Sequence, residues 1–331
     1  MKEKLTLEEY IQKIKELVPD SQLRQEEYEK AYAEYNKLKG RRTPDVVIVD
    51  LLKNPYFMES QSVKGCFSQF WLRLSDLNSY LLKELPSWRF FSDRIGLYTR
   101  DNALVVPRLV KAAGLDTAEY YLVNWVMDDS VTTWEDDFLL TPSFLKDGDE
   151  MLSFKDIFGQ ECLDIEIIEN RLVRELQLRH FKKKNIDRFI QDLRRKICMS
   201  EIINNTDISS ENMSIIINNG VVRMAPLYDF DFCMGNVASN KKNFKVRGKE
   251  GLASVLEYYK DDEDLIKWIR EKVLTIDIDK VVSIKVSGPN RGLVSKESKY
   301  VFRDFWKQQM EIVKEFIDHT QNINIEDREI S

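Results

Sequence analysis

Residues 200–233 read Ser200-Glu201-Ile202-Ile203-Asn204-Asn205-Thr206-Asp207-Ile208-Ser209-Ser210-Glu211-Asn212-Met213-Ser214-Ile215-Ile216-Ile217-Asn218-Asn219-Gly220-Val221-Val222-Arg223-Met224-Ala225-Pro226-Leu227-Tyr228-Asp229-Phe230-Asp231-Phe232-Cys233. Asp207 and Asn212 flank a short polar turn. A strand-turn-strand pattern follows: Met213–Ile217, then Asn218-Asn219-Gly220, then Val221–Met224. The Asn-Gly step supplies the positive backbone angles of a tight hairpin. The second strand continues through Ala225-Pro226-Leu227-Tyr228 and delivers Asp229 at its end.

A hairpin returns its two flanks to one place, so this pattern predicts that Asp207, Asn212 and Asp229 converge on one pocket. Two carboxylates and an amide suit metal-assisted phosphoryl transfer. One carboxylate orients the attacking hydroxyl, while the amide oxygen and the other carboxylate hold magnesium against the phosphates. Read singly, the same residues describe a polar loop before a surface hairpin, with Asp229 as a turn residue. The ordered set favours the site.

Asn205-Thr206-Asp207, Asn212 and Met224-Ala225-Pro226-Leu227-Tyr228-Asp229-Phe230 resemble the catalytic core of HipA-like kinases. Asn212-Met213-Ser214 stands where that family has Asn-Phe-Ser, Met224 where it has Leu, and Ser209 where it often has His. The match is tight over 204–230 and extends loosely over about 60–320. The resemblance implies an α+β, two-lobed protein-kinase-like fold with a small β-rich lobe and a larger helical lobe. It also implies ATP and magnesium as cofactors and a serine or threonine of a protein as acceptor. By that resemblance Asp207 is the catalytic aspartate, Asn212 and Asp229 are the metal ligands, and Asp231 is a candidate extra ligand.

Composition narrows the alternatives. The chain has 331 residues, 43% hydrophobic and 32% charged, enough for a sizeable core in one two-lobed domain or two smaller ones. A formal charge of −6 argues against direct nucleic-acid binding. Cys66, Cys162, Cys198 and Cys233 are scattered, which suits a reducing cytoplasm rather than a zinc motif or a disulfide framework. His180 and His319 are the only histidines, too few for a His-rich metal site. No apolar run approaches the ~20 residues that span a bilayer, so no membrane association is expected.

Residues 1–58 read as a helical N-terminal extension, although Val46–Leu52 reads equally well as a buried strand. The small lobe is expected over 59–145. Ser60–Gly65 forms a polar loop there in which Gly65 could cover phosphates. Strands at Phe67–Leu74 and Ser79–Lys83 follow, and the Tyr-Leu-Leu-Lys ending resembles the ATP-lysine strand of the family. That places Lys83 at the phosphates, against the plainer reading of an exposed edge-strand lysine. A helix is expected over Asp101–Ala113, with Pro107 delaying or kinking it. Its start carries no glutamate to pair with Lys83, and Asp101 could substitute. Ala118–Val126 and Asp137–Phe144 read as strands. The resemblance puts the adenine-binding hinge at Leu140–Ser143.

The large lobe is expected over 146–320, with its core at 204–231. It turns helical after Gly148 through Ile165–Phe181 and Ile186–Ile203. Lys182–Lys184 and Arg194–Lys196 read as solvated helix ends or faces. The basic segment Asn240–Lys249 stands where a substrate or activation loop would be, and reads otherwise as a mobile solvated loop. Helices are expected at Leu252–Tyr259, Asp262–Val273, Ile278–Val286 and Lys299–His319, before a polar tail at 321–331.

The first reading is thus an ATP- and magnesium-dependent HipA-like kinase. The missing helix glutamate supports a second, a nucleotide-binding pseudokinase acting as an interaction module. A third is the toxin component of a toxin–antitoxin pair, held by an antitoxin-like protein partner.

Overall fold

The Asn219-Gly220 step folds as its composition demands. Both residues take positive φ, 48° and 75°, and join strands at Ser214–Asn218 and Val221–Met224. In this computed structural model the described residues are 48–50, 56–62, 69–74, 78–84, 95–124, 138–234, 242–284, 294 and 296–329. They divide into two compact units, one made from the strands up to Ser143 and the other holding Leu97–Ala118, Phe144–Ser283 and the chain from Val294.

The first unit is a six-stranded sheet. Its strands are β1 (Ile48–Asp50), β2 (Tyr56–Ser62), β3 (Gln69–Leu74), β4 (Ser79–Glu84), β5 (Tyr121–Asn124) and β6 (Phe138–Pro142), in the order β1-β5-β6-β4-β3-β2. All neighbours are antiparallel except β1 and β5, where Ile48 faces Leu122. Leu72, Leu82, Leu139 and Leu140 are each at most 1% exposed and form its buried centre.

Two expectations change here. Ile48–Asp50 take the strand alternative offered for Val46–Leu52, and Tyr56–Met58 are strand where the helical extension was expected to end; residues 1–47 lie outside the described residues. Ser60–Ser62 pair with Gln69–Trp71 past a bulge between Met58 and Ser60, so this half of the expected polar loop is strand. Pairing with β3 is a tertiary effect that local polarity does not report.

The second unit opens with helix α1 (Ile95–Ala112). It starts before the expected Asp101, runs through Pro107, and from Leu97 groups with the second unit rather than with the sheet. Proline removes one helix hydrogen bond. Ala103, Leu104, Val105, Val106, Leu109 and Val110 are each at most 3% exposed, and burial of that apolar surface outweighs the lost bond.

Strand β7 (Glu150–Ser153) joins β8 (Ser214–Asn218) and β9 (Val221–Met224) in a three-stranded antiparallel sheet, where a direct turn into helix was expected after Gly148. Asp149 anchors it. Its carboxylate accepts from Asn218 Nδ2 (2.7 Å) in β8, from an Arg223 guanidinium nitrogen (2.7 Å) in β9, and from the Lys146 N–H (2.9 Å). Ser153 then caps α2 (Phe154–Phe158) with a capping box.

Helices α3 (Ile165–Leu178) and α4 (Lys183–Ile202) carry the core, with α4 leading into the 204–212 loop. The strand pair β10 (Lys245–Val246) and β11 (Lys249–Glu250) follows. Then come α5 (Leu252–Tyr258), α6 (Glu263–Trp268) with a π-turn over Ile269–Val273, and α7 (Ile278–Val282). The last helix, α8 (Lys296–Glu329), extends through the expected tail; no Gly or Pro interrupts it. The fold is α+β with small, largely antiparallel sheets. No described helix is long and apolar enough to cross a membrane.

Candidate active site

Three of the residues singled out from the sequence meet at the end of the β8–β9 hairpin. Asn212 Nδ2 donates to Asp229 Oδ2 at 3.0 Å and lies 3.4 Å from the Asp207 carbonyl. Asn205 bridges the same two aspartates: its Oδ1 accepts from the Asp207 N–H (3.2 Å) and its Nδ2 reaches the Asp229 carbonyl (3.4 Å). The Asn-Thr-Asp loop and the Leu-Tyr-Asp segment beyond β9 are therefore one hydrogen-bonded unit. Asp229 has φ 62°, a left-handed conformation that an aspartate tolerates better than most residues and that persists only where its surroundings enforce it.

The surroundings do enforce it. Upstream, the Leu227 N–H donates to the Asp116 carbonyl (3.0 Å), and the Leu227 carbonyl accepts from the Ala118 N–H (2.8 Å) and Thr117 Oγ1 (3.1 Å). Lys196, 0% exposed, donates through Nζ to the Ala225 carbonyl at 2.9 Å, sits 3.5 Å from that of Met224, and pairs with Asp192. Downstream, the Phe232 carbonyl accepts from the Thr206 N–H (2.9 Å) and Oγ1 (3.2 Å), while Asn102 Nδ2 donates to the carbonyls of Asp231 (3.1 Å) and Cys233 (3.0 Å).

The site concentrates negative charge. Burial pushes the Cys233 thiol well above its ordinary value, and the carboxylates of Asp231, Asp229 and Asp207 push it further. No three His, Cys, Asp or Glu side chains gather as a metal cluster among the described residues. What is present is a smaller set of oxygen-bearing side chains, the Asp229 carboxylate and the Asn212 amide in contact with it. Magnesium takes hard oxygen ligands, often one or two from protein, and keeps several waters, so this set and its field fit it.

Lys83, Leu140 and Ser143 lie in the sheet unit. Lys83 is half-buried in β4, opposite Gln69 and Leu139. Leu140 pairs with Leu82 on one side and Tyr121 on the other, which commits its main chain to the sheet. Ser143 lies one residue past β6, where its N–H donates to the Ser79 carbonyl (2.8 Å), and the chain passes from the first unit to the second directly after it. Gly65 lies outside the described residues. Asp101 and Asp231 are both buried, 1% and 6% exposed.

Two surface readings need correcting. Lys196 and Arg194 are not a solvated face. Lys196 is buried at the strand end, and burial lowers its pKa against the opposing pull of Asp192. Arg194 makes paired bonds to the Glu169 carboxylate (2.9 Å each) and one to Asp262 (2.9 Å); Tyr259 also donates to Glu169 (2.8 Å). These hydrogen bonds raise the Arg194 pKa further despite burial. A signal for Lys196 existed: it falls three and seven residues after Leu193 and Phe189, on the core phase of α4.

The described part of the basic segment is likewise held. The Lys242 N–H donates to the Thr206 carbonyl (2.9 Å), the Phe244 N–H to Glu201 (3.0 Å) and the Lys245 N–H to the Leu163 carbonyl (2.9 Å). Phe244 is fully buried. The segment runs beside the Asp207 loop rather than free in solvent.

No protein-family model and no curated protein matches the sequence. Solved structures do match the fold. The Helicobacter pylori proinflammatory kinase CtkA superposes with a TM-score of 0.60 at 13% identity, over 84% of this chain and 99% of that one. Shewanella oneidensis HipA, from a toxin–antitoxin complex with HipB and operator DNA, gives 0.51 at 13% identity, over 92% of this chain and 75% of that one. The chain shares the fold of these two structures.

Proposed function

We propose that the chain is an ATP- and magnesium-dependent kinase of the HipA-like type that phosphorylates a protein serine or threonine. The observation that carries this reading is the contact of Asn212 with Asp229 beside Asp207, at the end of one hairpin. Asp207 orients the acceptor hydroxyl and takes its proton. Asn212 Oδ1 and the Asp229 carboxylate hold magnesium, with Asp231 as a further candidate ligand; when bound, the metal supplies neutralisation of the phosphate charge. In the same reading Lys83 contacts the phosphates, the Gly65 loop covers them, and the Leu140–Ser143 stretch is the hinge between two lobes. The protein is then cytoplasmic, and its activity consists of positioning and charge compensation.

A second reading has one observation behind it. Helix α1, Ile95–Ala112, contains no glutamate and a single aspartate, Asp101. A helix whose sequence holds no glutamate departs from the active-kinase pattern and suits a nucleotide-binding pseudokinase that acts as an interaction module. The HipA neighbour was solved with the antitoxin HipB, and an antitoxin-like protein partner is the corresponding proposal for this chain.

Phosphate transfer from labelled ATP with magnesium tests both, comparing the wild type with Asp207→Ala and Asp229→Ala. Incorporation lost in both variants supports the kinase. Magnesium-dependent nucleotide binding without transfer, weakened by Asp229→Ala, supports the pseudokinase. Neither binding nor transfer overturns the site.

A further inference from the structure

We propose that Asn102 is a positioning residue that holds the turn following Asp229 in its metal-binding shape. This rests on the reading of Asn212 and Asp229 as metal ligands, and it assigns a role to α1 that the Lys83–glutamate scheme does not contain.

Asn102 is 0% exposed on a helix whose neighbouring positions 103–106 are apolar and buried. Both hydrogens of its amide are used. They go to the carbonyls of Asp231 and Cys233, 129 and 131 residues further along the chain. Phe232, between those two, gives its carbonyl to Thr206 of the catalytic loop. Three consecutive carbonyls are thus held from two directions, one of them by a single side chain. Two residues upstream stands Asp229 at φ 62°, and a strained conformation of this kind persists only when its neighbours over-determine it.

The amide is specific to this task. Its Oδ1 is buried without a hydrogen-bond partner among the described residues, a cost that a leucine of similar size would remove. A side chain needed for packing alone would not be an amide with a stranded acceptor. Aspartate in its place would set a carboxylate against two carbonyl oxygens. Asparagine supplies two donors from one short stem, and the bonds it makes hold the backbone behind the proposed ligands rather than the metal itself.

The test is a magnesium titration of the full chain bound to a fluorescent ATP analogue, for the wild type, Asn102→Leu and Asn102→Asp, with a parallel binding curve in EDTA. Amide hydrogen exchange over 229–234 is followed in the same proteins. Both variants are expected to need about tenfold more magnesium for half-saturation. Their metal-free nucleotide affinity should stay at the wild-type value, and exchange should quicken at 229–234. Should either variant fail to fold, Asn102→Ser, which keeps one donor in a smaller volume, must show the same shift. Wild-type magnesium dependence in the variants overturns the inference alone. A wild type whose nucleotide binding ignores magnesium overturns the site reading and the inference with it.

Discussion

Asn212 and Asp229 touch, amide nitrogen to carboxylate oxygen at 3.0 Å, although one precedes β8 and the other follows the end of β9 by five residues. The contact makes the two proposed ligands one unit, and the left-handed backbone at Asp229 makes it selective about replacement. Asparagine tolerates that conformation, whereas a β-branched residue pays about 1–2 kcal/mol for it. Asp229→Asn should therefore leave the thermal midpoint near the wild-type value while lowering phosphate transfer about 100-fold. Asp229→Val should lose both activity and stability. Calorimetry beside the transfer assay separates the two, and an Asp229→Asn chain that keeps full activity would remove Asp229 from the proposed site.

Lys196 predicts a stability defect without direct chemistry. Lys196→Met keeps the length of the side chain but leaves the Ala225 carbonyl without its donor, at a cost of about 1–3 kcal/mol. Asp192 is 35% exposed, so water replaces its partner there. Urea unfolding should show the midpoint lowered with an unchanged slope.

Arg194 predicts a larger one. Arg194→Met strands the buried Glu169 carboxylate with Tyr259 as its one remaining side-chain donor among the described residues, and breaking a buried pair from one side costs about 3–5 kcal/mol. Adding Glu169→Gln removes the stranded charge and should recover part of that loss in denaturant titrations. A double variant no more stable than the single one would contradict the assignment.

Asp149 predicts an acid-sensitive hairpin. Burial pushes its carboxyl upward, but the bonds from Asn218 and the Lys146 N–H, with the Arg223 charge, outweigh this and hold it below the ordinary 3.8. A depressed folded pKa stabilises the charged form. Its contribution is complete above the unfolded value and disappears as pH falls through the folded one. Wild type should therefore exceed Asp149→Asn by about 1 kcal/mol near neutrality. That margin should shrink only below pH 3.8, as followed by thermal unfolding at several pH values.

What the sequence disclosed was local. The Asn219-Gly220 step demands positive φ whatever surrounds it, so the hairpin and the meeting of its flanks were readable from residue type alone. The β3–β4 pair and the phases of α3 and α4 were readable for the same reason. Features set by distant partners were not. β7 is a strand because β8 offers it an edge, and Ser60–Ser62 are strand because β3 does. Lys196 looks like surface by composition, and only its phase on α4 betrays it. Asn102 carries no local signal, because its partners lie more than a hundred residues away. Lys242–Glu250 are polar enough to pass for a free loop, yet are laced to Thr206, Glu201 and Leu163 by their main chain.

The two kinds of bond at Asp229 differ in when they can form. Asn212 reaches Asp229 across 17 positions, whereas Asn102 reaches Asp231 across 129. Chain-closure entropy grows with the logarithm of loop length, which makes the longer closure harder by about 2 kcal/mol. The donor pair can gather as soon as the hairpin closes, and the turn beyond it is secured only after α1 docks. During synthesis, α1 emerges first and must wait for its partners, so the carboxylate that ends the hairpin acquires its final bearing late in folding, from the oldest helix of its unit.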